Sequence, residues 1–278
     1  MTVEMISFDA GDALLSWQDL IRALEEGHGR PRAEIADSFL YRDPDTMLTR
    51  SAWIDGMGLA VKTATLFPGN RDAGMPVVNG GVSVYSDTDG RLEAVIDFHL
   101  VTKWKTAGDS LLAATKLARP DSRRILIVGA GTVGHSLREA YGSAFPDAAF
   151  RVWNRSPEGA EKLADAFPGT RAVPDLERAV KDADIIACAT MTPEPILKGE
   201  WLQPGQHVDL IGAYRPDMRE ADDEALRRAR IFVDSRDTTL EHIGELKIPL
   251  EAGVITEADV VADYYDLPSG TFARRSDD

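Results

Sequence analysis

Gly129, Gly131 and Gly134 stand at the first, third and sixth positions of a turn, the spacing that binding a dinucleotide requires. The first glycine permits a tight turn, the second lets the backbone approach a pyrophosphate, and the third lets a helix pack closely on the preceding strand. Ala130, Thr132 and Val133 fill the positions between, so backbone amides face the phosphates at a helix N-terminus. A second chemical signal lies at Asn154, Arg155 and Ser156. An acid there would hold the ribose hydroxyls of NAD, whereas Arg155 offers a planar guanidinium to a 2′-phosphate and Asn154 and Ser156 add neutral donors. The expected cofactor is NADPH, with NADH accommodated if the site is relaxed; Ser156 also reads as a helix cap.

Lys62 is the candidate for acid–base work. It shares a strand face with Ala60, Ala64 and Leu66, where an ammonium is partly desolvated and its pKa lowered. Such a lysine can bond a carboxylate and deliver a proton to an imine nitrogen. The competing reading is a lysine that blunts an edge strand.

These residues need elements to position them. Arg124 to Val128 is a short apolar run that reads as a buried parallel strand, and Val133, Leu137, Ala140, Tyr141 and Ala144 follow at helical spacing. Ala149–Trp153, Asp184–Thr190, Gln206–Gly212 and Arg230–Asp234 read as further strands, with helices from Ser156-Pro157 and near Leu176–Val180 and Asp222–Ala229. This alternation predicts an α/β doubly wound sheet. Thr190, Ile211 and Gly212, at its strand ends, are expected to bind the cofactor, the last two beside the nicotinamide. Upstream, Ser16 caps a helix to Glu26, and Gly58–Phe67, Val77–Tyr85 and Arg91–Phe98 predict an antiparallel α+β region leading into a helix over Thr102–Leu117. The expected domains are 1–118 and 119–254, the second for the dinucleotide.

The 278 residues, 44% hydrophobic, suffice for about two domains with cores. The single Cys188 allows no intrachain disulfide and fits a reducing cytoplasm. No export signal or membrane span is read. A net charge of −15 argues against nucleic acid and anionic membranes as partners. The five histidines, at 28, 99, 135, 207 and 242, lack metal-ligand spacing, so no metal is expected. Arg274–Asp278 reads as a polar tail.

Several runs resemble the ornithine cyclodeaminase and μ-crystallin family. They are Val61-Lys62 with Pro68-Gly69-Asn70, Thr102-Lys-Trp-Lys-Thr-Ala107, Leu117-Ala-Arg-Pro-Asp121, Val152-Trp-Asn-Arg155 and Asp209-Leu-Ile-Gly-Ala-Tyr-Arg-Pro-Asp-Met-Arg-Glu220. Within that family the motifs look closest to the bacterial Δ1-pyrroline-2-carboxylate reductases. The resemblance implies a Rossmann-type domain, makes 1–118 the substrate and dimerisation domain of a homodimer, and puts the active site in the interdomain cleft. It makes Lys62 the active-site lysine, Lys105 the cation for a substrate carboxylate in place of the usual arginine, Arg50 a further candidate cation, and Thr106 a residue near the pyrophosphate. It also implies that residues from about 255 onward pack back on the first domain, in a segment shorter here than in relatives.

Cyclodeaminases commonly carry an aspartate just after the Gly-Ala pair, and here Gly212-Ala213 is followed by Tyr214. Asp217 and Glu220 match positions assigned to structure. The expected reaction is therefore NAD(P)H-dependent reduction of a cyclic α-imino acid, Δ1-pyrroline-2-carboxylate to L-proline. An ornithine cyclodeaminase, an imine-reducing amino-acid dehydrogenase and a non-catalytic NADPH-binding crystallin-like protein remain as alternatives.

Overall fold

The computed structural model describes residues 3–274, so all but Arg274 of the polar tail lies outside the described residues. The chain divides into two compact units, one formed by Met1–Asp19 with Glu26–Lys105 and the other by Leu20–Glu25 with Thr106–Asp278. The division falls inside a long helix, between Lys105 and Thr106.

In the first unit the order is β1 (Glu4–Ile6), α1 (Phe8–Asp12), the two ends of α2 (Trp17–His28), β2 (Glu34–Arg42), β3 (Asp45–Ile54), β4 (Gly58–Leu66), β5 (Val78–Tyr85), β6 (Leu92–Asp97) and the start of α3 (Phe98–Leu117), the middle of α2 belonging to the second unit. Ser16 begins α2 as expected, its hydroxyl accepting the Asp19 N–H at 3.2 Å. The six strands lie in the order β1-β6-β5-β4-β3-β2. The sheet is mixed rather than antiparallel throughout, because β1 runs parallel to β6. Strands β2 and β3, which the sequence pattern does not predict, form a long antiparallel pair from Glu34↔Trp53 to Arg42↔Asp45. The helices anchor through Trp17 and Trp104, whose buried rings stack with centroids 4.1 Å apart. Asp12 ties them further, accepting from Lys103 Nζ and Trp104 Nε1, both at 2.7 Å.

The second unit continues with β7 (Arg124–Val128), α4 (Thr132–Ala144), β8 (Ala149–Trp153), α5 (Pro157–Ala166), β9 (Thr170–Ala172), α6 (Leu176–Asp182), β10 (Ile185–Cys188), β11 (His207–Leu210), α7 (Asp223–Arg228), β12 (Ile231–Phe232), α8 (Arg236–Thr239), α9 (Gly244–Glu251) and β13 (Val260–Ala262). Five parallel strands lie in the order β11-β10-β7-β8-β9. Strand order reverses beside β7, which creates the crevice at the carboxyl ends where open α/β sheets bind ligands. The expected strand over Arg230–Asp234 forms, but it pairs with β13 in a separate two-stranded sheet. Ile125, Leu126, Ile127, Ile185 and Ile186 are all buried, as strands covered on both faces demand. Near the C-terminus, Tyr264 and Phe272 pack on Leu112 of α3, with Ile21 and Leu24 of α2 against the same cluster. Asp184 closes the amino end of the sheet, accepting from the amides of Arg123 and Arg124 at 2.9 Å each. Among the described residues no helix is long and apolar enough to cross a membrane.

Candidate active site

The glycine turn grows directly from β7. Gly129 has φ 109°, in the region that favours glycine, and a Cβ there would lie 2.7 Å from the Ala189 carbonyl oxygen. Gly134 lies so close to the strand that a Cβ would come within 2.1 Å of the Gly129 oxygen. A Cβ on Gly131, by contrast, would meet nothing within 4 Å, so this face of the turn is open to an approaching group. Gly131 caps α4 without a side-chain bond, and the first turn, which includes Thr132 and Val133, carries no acidic residue. Uncapped amides, a helix dipole and no local negative charge fit a pyrophosphate.

Asn154 stitches this turn to the end of β8. Its Oδ1 accepts the Ala130 N–H at 3.1 Å, while its Nδ2 donates to the backbone oxygen and hydroxyl of Ser156 at 3.0 and 3.2 Å. The amide expected to face a phosphate is thus engaged within the chain. Ser156 occupies the cap position of α5, but its side chain makes no capping bond. Arg155 is exposed, and its guanidinium makes no ion pair or hydrogen bond among the described residues.

At the neighbouring strand ends the chain is organised by an acid. Glu220 is fully buried, and its Oε1 accepts both the N–H and the hydroxyl of Thr190 at 2.6 Å. Its Oε2 accepts the Gly212 N–H, also at 2.6 Å. Burial pushes this carboxyl up to about 7, with Glu245 nearby adding to the rise against the opposing hydrogen bonds. Glu245 in turn accepts the amides of Glu220 and Ala221 at 2.6 and 3.0 Å. Ile211 lies between these contacts, its amide donating to the Cys188 oxygen at 3.1 Å. Sequence reasoning placed Glu220 among structural positions; its only local signal is an acid in the run Met218-Arg-Glu-Ala221. Tyr214 is half exposed, and Asp217 forms a surface pair with Arg215.

In the first unit, register assembles the cations. Asp37 pairs with Arg50, Arg50 with Lys62, and Lys62 with the buried Val82, so these four positions form one row across β2, β3, β4 and β5. Arg50 forks onto Asp37 through Nε and Nη2, at 2.8 and 2.6 Å. Burial lowers the pKa of Lys62, as do the charges of Lys105 and Arg50, while Asp37 opposes them. Lys105 projects from α3 as an exposed residue, with Thr106 next to it in sequence. Among the described residues no group of three or more histidine, cysteine or acidic side chains could hold a metal. Cys188 is buried and unbonded, and His207, also buried, is pushed down to about 4 by desolvation.

A model of the ornithine cyclodeaminase/mu-crystallin family matches residues 33–278. A Δ1-pyrroline-2-carboxylate reductase from Paracoccus denitrificans is 49% identical, over 99% of this chain and 89% of that protein. The Thermococcus litoralis Δ1-pyrroline-2-carboxylate reductase, solved with NADH and L-proline, superposes with a TM-score of 0.91 at 25% identity, covering 99% of this chain and 89% of that one. An archaeal alanine dehydrogenase dimer with bound NAD gives a TM-score of 0.90 at 27% identity, covering 100% and 88%.

Proposed function

The chain belongs to the ornithine cyclodeaminase/mu-crystallin family, and we propose that it reduces Δ1-pyrroline-2-carboxylate to L-proline with a nicotinamide dinucleotide, preferring NADPH to NADH. The observation that carries this reading is the row of charge around Lys62. Lys62 shares its strand face with Ala60 and Ala64, and burial and two further cations lower its pKa. A substrate combining a carboxylate with an imine nitrogen uses both properties: positive charge holds the carboxylate, and a destabilised ammonium gives its proton to the nitrogen. Lys105 and Arg50 are the cations for the carboxylate. Because Arg50 is already forked onto Asp37, it acts as a fixed charge, and Lys105 adds a second positive charge from α3.

The bound nicotinamide supplies the hydride. Gly129 to Gly134 would hold the pyrophosphate with backbone amides, Thr106 would lie near it, and Thr190, Ile211 and Gly212 would flank the nicotinamide. Arg155, exposed at the end of β8, is the group proposed for the 2′-phosphate. Positioning rather than covalent chemistry then supplies most of the acceleration. Tyr214, standing where cyclodeaminases commonly carry an aspartate, supports net reduction over ammonia loss.

The same reading includes a homodimer and a cytoplasmic enzyme. Every residue of β2 is exposed within the single chain, including Ile35, Phe39, Leu40 and Tyr41, an apolar edge suited to burial against a second copy. The test of function is NADPH and NADH oxidation by the purified protein with Δ1-pyrroline-2-carboxylate, set beside ornithine with NAD and pyruvate with ammonia. The expected result is the fastest turnover with the cyclic imine and NADPH. Ammonia release from ornithine without net change in cofactor would overturn it.

A further inference from the structure

The carboxylate of Glu220 is a fully buried, heavily engaged group in the second unit that the proposed reaction does not use. Three donors converge on it, two from Thr190 and one from Gly212, and among the bonds it makes none runs to an acceptor. Such a set suits a carboxylate, which accepts at both oxygens and so can hold Thr190 and Gly212 at once. The segment carrying Glu220 is itself held. Glu245 accepts the amides of residues 220 and 221, and the Gly244 N–H donates to the Arg215 oxygen at 3.0 Å.

What the carboxylate joins is specific. Thr190 follows β10 and Gly212 follows β11, so they lie at the carboxyl ends of two neighbouring strands, the first of which is next to β7. A Cβ on Gly212 would stand 2.0 Å from the Thr190 oxygen and 2.7 Å from the Glu220 carboxyl carbon, so only glycine lets the three groups meet. On the other side, Gly129 lies against Ala189 and Thr190. The contacts therefore run without a break from the glycine turn, through residues 189–190, to Gly212, with the Glu220 carboxylate behind the last two.

We propose that Glu220 is a positioning residue for the nicotinamide half of the cofactor, its carboxylate pinning the loops after β10 and β11 in fixed relation to the glycine turn. It touches neither substrate nor cofactor; it acts through the backbone of Thr190 and Gly212. The inference rests on the dinucleotide reading of this unit. The adenosine half, lying toward Arg155 and the end of β8, does not depend on the clamp.

The test compares the wild type with Glu220→Gln, which keeps shape but turns an amide donor toward one of the three donors, and with Thr190→Val, which removes one bond of the three. Binding is measured for the reduced cofactor that the wild type prefers and for its adenosine half, ADP-ribose or the 2′-phosphate of it. Amide hydrogen exchange is followed without ligand. In Glu220→Gln, exchange at Thr190 and Gly212 is expected to quicken about 10- to 100-fold while Ile127 is unchanged. Dinucleotide binding should weaken about tenfold with the adenosine fragment held within about twofold, and kcat should fall with the KM for the imino acid little changed. Thr190→Val should move each quantity in the same direction by less. Unchanged exchange and dinucleotide affinity in both variants overturn the clamp, as does equal loss of the dinucleotide and the fragment. A wild type that binds neither nucleotide overturns the dinucleotide reading itself.

Discussion

Arg50 and Lys62 stand directly opposite one another in the β3–β4 ladder, and the arginine is held there by a fork onto Asp37, its own cross-strand partner on β2. Three charged side chains are thereby set in a row by register alone. The row tunes Lys62 from both directions, because Arg50 lowers its pKa and Asp37 raises it. Removing Asp37 as Asp37→Asn should lower that pKa further and move the basic limb of the kcat/KM profile to lower pH. Arg50→Met should move it to higher pH. Identical profiles in both variants would show that the limb belongs to another group.

Lys62→Ala removes the proposed proton donor outright. General acid catalysis contributes about 10²- to 10⁴-fold, so turnover with the cyclic imine should fall by that factor with cofactor binding preserved. Steady-state kinetics beside a cofactor titration checks both halves of the statement.

Arg155 is the residue proposed to carry the preference between cofactors. A hydrogen-bonded charge pair contributes about 1.5–3 kcal/mol, so Arg155→Ala should raise the KM for NADPH about 10- to 100-fold and leave NADH nearly unaffected. Equal effects on both cofactors would remove Arg155 from the 2′-phosphate site.

Asp184 should govern acid stability. Burial alone would raise its pKa, but the Arg124 side chain and the amides of Arg123 and Arg124 outweigh burial and hold it at about 2. Since the folded value lies below the unfolded one, the stabilisation is complete above about pH 4 and is lost as pH falls through about 2. It amounts to about 2 kcal/mol by linkage. Urea unfolding of Asp184→Asn should show a deficit of at least that size at pH 7, shrinking toward pH 2.

The β2 edge is the proposed dimer face. Changing Phe39 and Leu40 together to glutamate places two charges among the apolar groups and should convert a dimer to a monomer in size-exclusion chromatography with light scattering. A wild type that runs as a monomer would sink the assignment.

What could be read in the sequence was local. The strand, turn and helix around Gly129 to Gly134 occupy one short stretch, and α2 starts beside Ser16 because a hydroxyl there reaches an amide three residues on. Strands β4, β5 and β6 were likewise visible through alternation and turn residues. Strand β2 was not: all its side chains are exposed in the chain, so no buried face imprints a period on it, and pairing with β3 defines it. Strand β12 was visible as a strand, yet which sheet it joined depended on β13, nearly thirty residues later.

The candidate site divides along the same line. The glycines and Arg155 are recognisable by type and spacing, because an open turn and an exposed guanidinium each express a short-range property, whereas Lys62 stands out through the family resemblance. Sequence alone determined that chemistry and the class of cofactor it suits. Only the tertiary structure placed Asp37 and Arg50 in line with Lys62, since cross-strand register decides partners that lie 13 and 12 positions apart along the chain. Only it brought Glu220 onto Thr190, 30 positions away, and turned an apparently structural acid into the link between two strand ends. A buried carboxylate takes its meaning from the donors that surround it, and those donors are assembled by packing rather than by sequence neighbours.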